Sequence, residues 1–270
     1  RISQKIVICT GVLLNLGLQS LLVLVVYFDM LDNPFAPKEV ERMLEWRALV
    51  GHSGNEMDKY NGKSLVEKLC KLEMPMSYEQ HLYREINDYL FQPMPGWALS
   101  TLAIVLWVLT TTVEFRTAFE QTFAICTLKG LPPEEPEIVP TEAGFKIRGI
   151  STGMRIMSIF VLSIPRFLVL IALVIVGCKY LAYTVSLSDI VLNSLALAFV
   201  MEVDELLAEV LLSRRTLMLI DDMQPIRVGS AWKYPGCAPT DILRFTLCGA
   251  AILIASLLWL LPFHTNVSAA

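Results

Sequence analysis

Residues Ile6 to Phe28 form a run of 23 positions without a charge. At about 1.5 Å per residue such a run makes a helix longer than the roughly 30 Å hydrocarbon core of a bilayer. Three more runs follow: Trp97 to Val113, opened by Pro95-Gly96-Trp97; Ile156 to Cys178, interrupted by Arg166; and Phe245 to Phe263, with Trp259 near its end. Tryptophans at such ends suit a membrane interface. The chain is 270 residues long, 54% hydrophobic and 18% charged. With a mean hydropathy of +0.55, it is too apolar for an ordinary soluble domain. No small-x-small cleavage site separates the first run from Asp29, so it reads as a retained span and not as a signal peptide. The expected fold is an all-α integral membrane protein with four clear transmembrane helices at 6–28, 97–119, 156–180 and 243–263.

The connections divide by composition. Segment 29–96 is more acidic than basic and carries three helical patterns, Pro37 to Leu49, Lys63 to Leu72 and Ser77 to Phe91. Leu65, Leu69 and Leu72 share one face, and Leu82, Ile86 and Leu90 another. These faces are too narrow for a core of their own, so the segment is expected to be a helical extramembrane cap resting on the membrane or on a partner. Segment 129–153 contains LPPEEPEIVP, whose prolines forbid a continuous helix, and is expected as an exposed Pro-rich loop. Segment 214–240 is expected to be irregular.

If every apolar run crosses, Arg1, Lys5, Lys129, Lys146, Arg148, Arg214, Arg215, Arg227 and Lys233 fall on one side. The positive-inside rule then puts the N-terminus on the cytoplasmic, stromal or matrix side. The tripeptide Asn266-Val267-Ser268 lies only a few residues past the last span and reads as a chance sequon.

The segment 188–213 is apolar enough for membrane depth yet carries Glu202, Asp204, Glu205 and Glu209. At 100° per residue, Glu202, Glu205, Glu209 and Ser213 share one face, with Asp189, Asn193 and Asp204 roughly opposite. It is expected as a charged amphipathic fifth helix at membrane depth, lying among other helices. Arg155 and Arg166 are 11 residues apart and share a face of span three. A turn near Thr184 places Arg166 level with Glu202, each 18 residues away, and Arg155 level with Ser213, close to Glu209. A charge at the bilayer centre costs about 2.5 to 3.5 kcal/mol on insertion scales, so pairing of Arg166 with Glu202, Asp204 or Glu205 is the expectation. An intramembrane polar network of Arg166, Glu202, Asp204, Glu205, Asn193, Arg155 and Glu209 follows. It serves as a structural lock or as a carboxylate-lined ion path, or else 188–213 is an interfacial helix that never crosses and keeps its charges in water.

The pattern Pro165-Arg166, Gly177, Leu181, Thr184 and then DIVLNSLALAFVMEVDELL from Asp189 resembles a group of uncharacterised multi-pass membrane proteins of dinoflagellate algae. The similarity covers about Arg155 to Ser213, and its most specific part is the LNSLALAF-x3-VDEL spacing. It implies a membrane address and an algal origin, but no activity. That origin favours a thylakoid setting, an accessory subunit of a photosystem I–antenna supercomplex, with chlorophyll and carotenoid as the cofactors that such a setting implies. The paired Glu, Arg and Asn or His pattern of light-harvesting helices is absent. VEFR, Glu114 to Arg116, reads as an interfacial ion pair.

A net charge of −4 and no basic cluster disfavour nucleic acid as a partner. The six cysteines are scattered without CxxC spacing, so neither a zinc site nor a disulfide framework is indicated. His52, His81 and His264 are far apart, which rules out a metal centre by spacing but leaves each available as a single axial ligand to a pigment magnesium. No GxSxG, HExxH, P-loop or pair of intramembrane aspartates points to an enzyme. The expected function is therefore a non-catalytic subunit of a larger membrane complex, contacting partner proteins and lipid. The alternative is an ion channel or transporter, against which stand the lack of an inverted repeat and of a filter-like Gly-rich loop.

Overall fold

The computed structural model describes residues 2–53, 57, 61–74, 77–132, 138–141, 144–223 and 239–270. The protein is an all-α multi-pass membrane protein. Among the described residues, four helical stretches are long and apolar enough to span a bilayer: Thr10–Met30, Gly96–Thr127, Thr152–Ala182 and Phe245–Ala269. They belong to helices α1 (Ile2–Val25), α5 (Gly96–Thr127), α6 and α7 (Thr152–Ser158 and Ile164–Ala182), and α10 and α11 (Pro239–Ala255 and Leu261–Ala269). The last two pairs are each continuous through a five-residue π-helical turn, Ile159–Ser163 and Ser256–Leu260. Both turns sit just ahead of a proline, Pro165 and Pro262. Widening the turn moves the preceding carbonyls off the proline ring, so each helix continues where an ordinary turn would break.

Helix α8 (Leu187–Leu211) is the expected fifth helix. Its buried stripe runs Ile190, Leu197, Val200 and Met201. Glu202, Glu205 and Glu209 are exposed, while the side chain of Asp204 lies outside the described residues.

The chain groups into two compact units, one of 1–27, 109–175 and 197–248, the other of 28–108, 176–196 and 249–270. The first takes the C-terminal parts of α5 and α8 and the N-terminal part of α7, which is the grouping antiparallel neighbours produce. It also holds a two-stranded antiparallel hairpin, β1 (Ile138–Thr141) with β2 (Gly144–Ile147), where only a loop was expected from the prolines. Pro140 fits because an edge strand has no use for the missing N–H. The Phe145 amide donates to the Asp222 carbonyl at 3.1 Å, tying the hairpin to the end of α9 (Arg214–Asp221). Helix α9 corrects the expectation that 214–240 is irregular throughout: Ser213 caps it by accepting from the Thr216 amide. Residues 224–238, with YPGCAP, lie outside the described residues, as do 133–137 of the Pro-rich stretch.

The second unit contains the cap. Helix α2 (Pro37–Trp46) starts on a proline at its first position, where no intrahelical donor is needed. Ser64 and Ser77 cap α3 (Leu65–Cys70) and α4 (Tyr78–Phe91) by accepting from the amides of Glu67 and Gln80 at 3.1 Å each. The cap does not close its core alone. Phe35, Val40 and Tyr89 are buried together with Val185, Phe263 and Val267, the last two supplied by α11, and Leu82, Ile86 and Leu90 pack against this cluster. Asn266 joins it by donating its side-chain amide to the Phe35 carbonyl at 2.9 Å.

Candidate functional site

The strongest polar arrangement at membrane depth lies in the first unit, between α5 and α7. Arg166 donates through Nη2 to Glu114 Oε2 at 3.1 Å and through Nη1 to Gln121 Oε1 at 3.2 Å. Glu114 and Gln121 are seven residues apart, two turns on one face of α5, with the buried Ala118 between them. Both charged side chains are largely enclosed, at 23% and 27% exposure. Phe115 and Phe167 pack beside the pair with ring centroids 6.2 Å apart. One turn nearer the start of α7, the Thr122 hydroxyl lies 3.0 Å from that of Ser163 and 2.8 Å from the Ala118 carbonyl. Arg155 donates to the Leu128 carbonyl, at the C-terminal end of α5, where carbonyls lack intrahelical partners and a cation is favoured.

The shared face of Arg155 and Arg166 therefore exists, and in these contacts it meets α5. The expected partners Glu202, Glu205 and Glu209 are exposed on α8, and a contact to Asp204 falls outside the described residues. The contact with α5 has a simple cause. Helix α5 is 32 residues long and runs well past its charge-free part, carrying Glu114 and Gln121 into the span. VEFR is likewise not one ion pair: Glu114 meets Arg166, while Arg116 meets Glu120 at 2.8 Å, one turn on. The missed signal was the i, i+7 spacing of Glu114 and Gln121 directly after a membrane-length apolar run.

Asn193, expected in the same network, belongs to a second one at the α7–α8 turn. Tyr180 donates its hydroxyl to Asn193 Oδ1 at 2.9 Å; Asn193 Nδ2 donates to Thr184 Oγ1 at 3.1 Å; Thr184 donates to the Tyr180 carbonyl at 2.8 Å. Around this clip Leu181, Ala182 and Ile190 are fully buried. Nearby, Lys179 sits 5.9 Å from the centre of the Trp259 ring, a distance at which the ring face attracts a cation.

The three histidines separate clearly. His52 is exposed. His81 is exposed on α4, with Nδ1 3.7 Å from Glu85. His264 alone stands among aromatic rings, 6.1 Å from Tyr89 and 6.3 Å from Trp97 by centroid. Its Nδ1 is buried and meets no hydrogen-bond partner among the described residues. Among the described residues no three His, Cys, Asp or Glu side chains gather closely enough to hold a metal ion. No family model matches the chain, and no curated protein or solved structure matches it.

Proposed function

We propose that the protein is a non-catalytic integral subunit of a larger membrane complex, locked internally by polar contacts and offering its outer helix faces to partner proteins and lipid. The observation that carries this is the outer face of α8. Glu202 and Glu209 are exposed there, beside Phe199, Leu206 and Val210 at 58%, 44% and 81% exposure. A face that mixes carboxylates with large apolar groups suits neither lipid nor water, and a partner protein with matching cations satisfies both parts. Helix α1 supports the same reading, since only 6% of its most apolar stretch is buried within the chain. The Lys and Arg distribution favours an N-terminus on the cytoplasmic, stromal or matrix side.

The algal resemblance makes a thylakoid photosystem I–antenna supercomplex the setting to test first. There His264, with Trp97 and Tyr89 beside it, is the best placed of the three histidines to ligate a pigment magnesium, and carotenoid is the second pigment of that setting. The alternative is an ion channel or transporter in which α8 faces of several copies enclose a carboxylate-lined path. Purification of the tagged chain from its native membrane in mild detergent separates the two. The proposal expects co-elution with other membrane proteins in fixed ratio, together with chlorophyll. A chain that emerges only with copies of itself, and passes ions in liposomes until Glu202→Gln is introduced, establishes the channel instead.

A further inference from the structure

Helix α8 carries a regular seam along its uncovered side. Leu192, Leu195, Phe199, Glu202, Leu206 and Glu209 follow one another in alternating steps of three and four residues, the heptad spacing of helices that pack side by side. The four apolar members are between 44% and 67% exposed, and Glu202 and Glu209 are exposed with them. At 100° per residue the seam lies roughly opposite the buried Leu197, Val200 and Met201, so the chain's own packing leaves it open. Neither Glu202 nor Glu209 has an ion-pair partner among the described residues. Their depth follows from α1. Gly11, at the start of the first apolar span, would bring an added Cβ to 3.4 Å from a methyl of Leu211, the last residue of α8. Helix α8 begins at the turn that ends α7, so the path back from Leu211 leads into the membrane. Glu209 lies about 3 Å and Glu202 about 13 Å along that path, at 1.5 Å per residue. Carboxylates uncovered at such depth face hydrocarbon, where water does not screen them and a lone charge is costly.

We infer that this seam docks one transmembrane helix of a partner protein, a helix that carries two Lys or Arg residues seven positions apart. Apolar side chains of the partner fill the layers of Phe199 and Leu206, and its cations meet Glu202 and Glu209. A second copy of this chain fits worse. Copies in one membrane share an orientation, so a two-fold pair runs α8 parallel to α8 and sets Glu202 against Glu202 and Glu209 against Glu209. Like charges at one depth repel, and the seam that accepts a basic helix thereby rejects its own copy. The inference rests on the reading of α8 as the partner-facing helix and adds to it the charge spacing and packing mode of the partner.

The probes are synthetic Leu-Ala transmembrane peptides of roughly 24 residues, bearing two Arg seven positions apart, two Arg five apart, or two Gln seven apart. A spacing of five puts the two cations on opposite sides of the peptide helix, where only one can reach the seam. The full chain carries a donor dye on a terminal tag and each peptide an acceptor, and energy transfer in neutral phospholipid vesicles measures association. The peptide with Arg seven apart is expected to associate about tenfold more tightly than the one with Arg five apart, the gain of one charge-assisted contact, and more tightly still than the Gln peptide. Glu202→Gln together with Glu209→Gln should erase this preference while the apolar layers keep a weaker association with all three. Equal association of the three peptides with the parent chain overturns the charge-matched seam. Energy transfer between differently labelled copies of the chain that is lost in Phe199→Ala assigns the seam to a second copy and overturns it as well. Co-elution of other membrane proteins tests the subunit reading separately. A chain that co-elutes but does not distinguish the peptides loses the seam alone, and one that prefers the seven-spaced peptide but elutes alone keeps the seam and loses the subunit reading.

Discussion

Arg166 of α7 and Glu114 of α5 meet at 3.1 Å across 52 residues of sequence. Gln121 takes a second N–H of the same guanidinium. One cation, one carboxylate and one amide from two adjacent spans thus satisfy one another where water is scarce, and the contact fixes the rotation of α5 against α7.

A similar fixing of position operates at Gly177. A Cβ there would lie 2.4 Å from Nε1 of the buried Trp107 and 2.6 Å from its Cε2. Gly177→Ala is expected to destabilise the protein by about 1–3 kcal/mol, the usual cost of overpacking. Thermal unfolding in detergent checks this, and Trp107→Leu in the same chain should recover part of the loss. A neutral Gly177→Ala would show that the two helices slide apart freely.

The clip at the α7–α8 turn makes a second expectation. Asn193→Leu leaves the Tyr180 and Thr184 hydroxyls without the contacts that Asn193 supplies and should cost about 1–3 kcal/mol. Adding Tyr180→Phe should cost little more, because both changes remove the same bond. Additive losses in this double-mutant cycle would mean the bond contributes nothing.

Cap and last span are expected to separate when their shared core is emptied. Phe263 meets Phe35 edge-on at 5.8 Å and Tyr89 at 6.2 Å. Phe263→Ala should cost about 3–5 kcal/mol and expose the cap to limited proteolysis while the membrane spans stay protected. A cap that resists protease in this variant would be an independent domain.

The four spans were legible because length and absence of charge decide them, whatever their neighbours. Residues in the resembling stretch also acquire physical reasons: Gly177 admits Trp107, Leu181 is fully buried, and Thr184 closes the clip. The common face of Arg155 and Arg166 followed from helical periodicity alone. Which helix would meet that face did not, because periodicity gives a direction on one helix and says nothing of its neighbour. Levelling residues across the Thr184 turn pointed to α8 and left Glu114 and Gln121 on α5 unread. The cap was legible as incomplete, but not that Phe263 and Val267, far along the chain, complete it. The hairpin was hidden because prolines argue against helix more strongly than they argue for any alternative.

We propose that the Arg166–Glu114 contact holds α5 against α7 and is not part of an ion path. Removing either partner of the pair leaves the other's charge without its counter-ion, at about 3 kcal/mol given that neither is fully enclosed, whereas removing both leaves no unbalanced charge and only the neutral Gln121 amide without its Arg166 donor. The direct measurement is unfolding stability and incorporation into the native complex for Glu114→Leu, Arg166→Leu and the double variant. Both single variants should be destabilised and poorly incorporated, and the double variant should regain most of the parent's stability and assembly. A double variant as impaired as either single, or one that assembles fully but loses a measurable ion flux, would contradict the account.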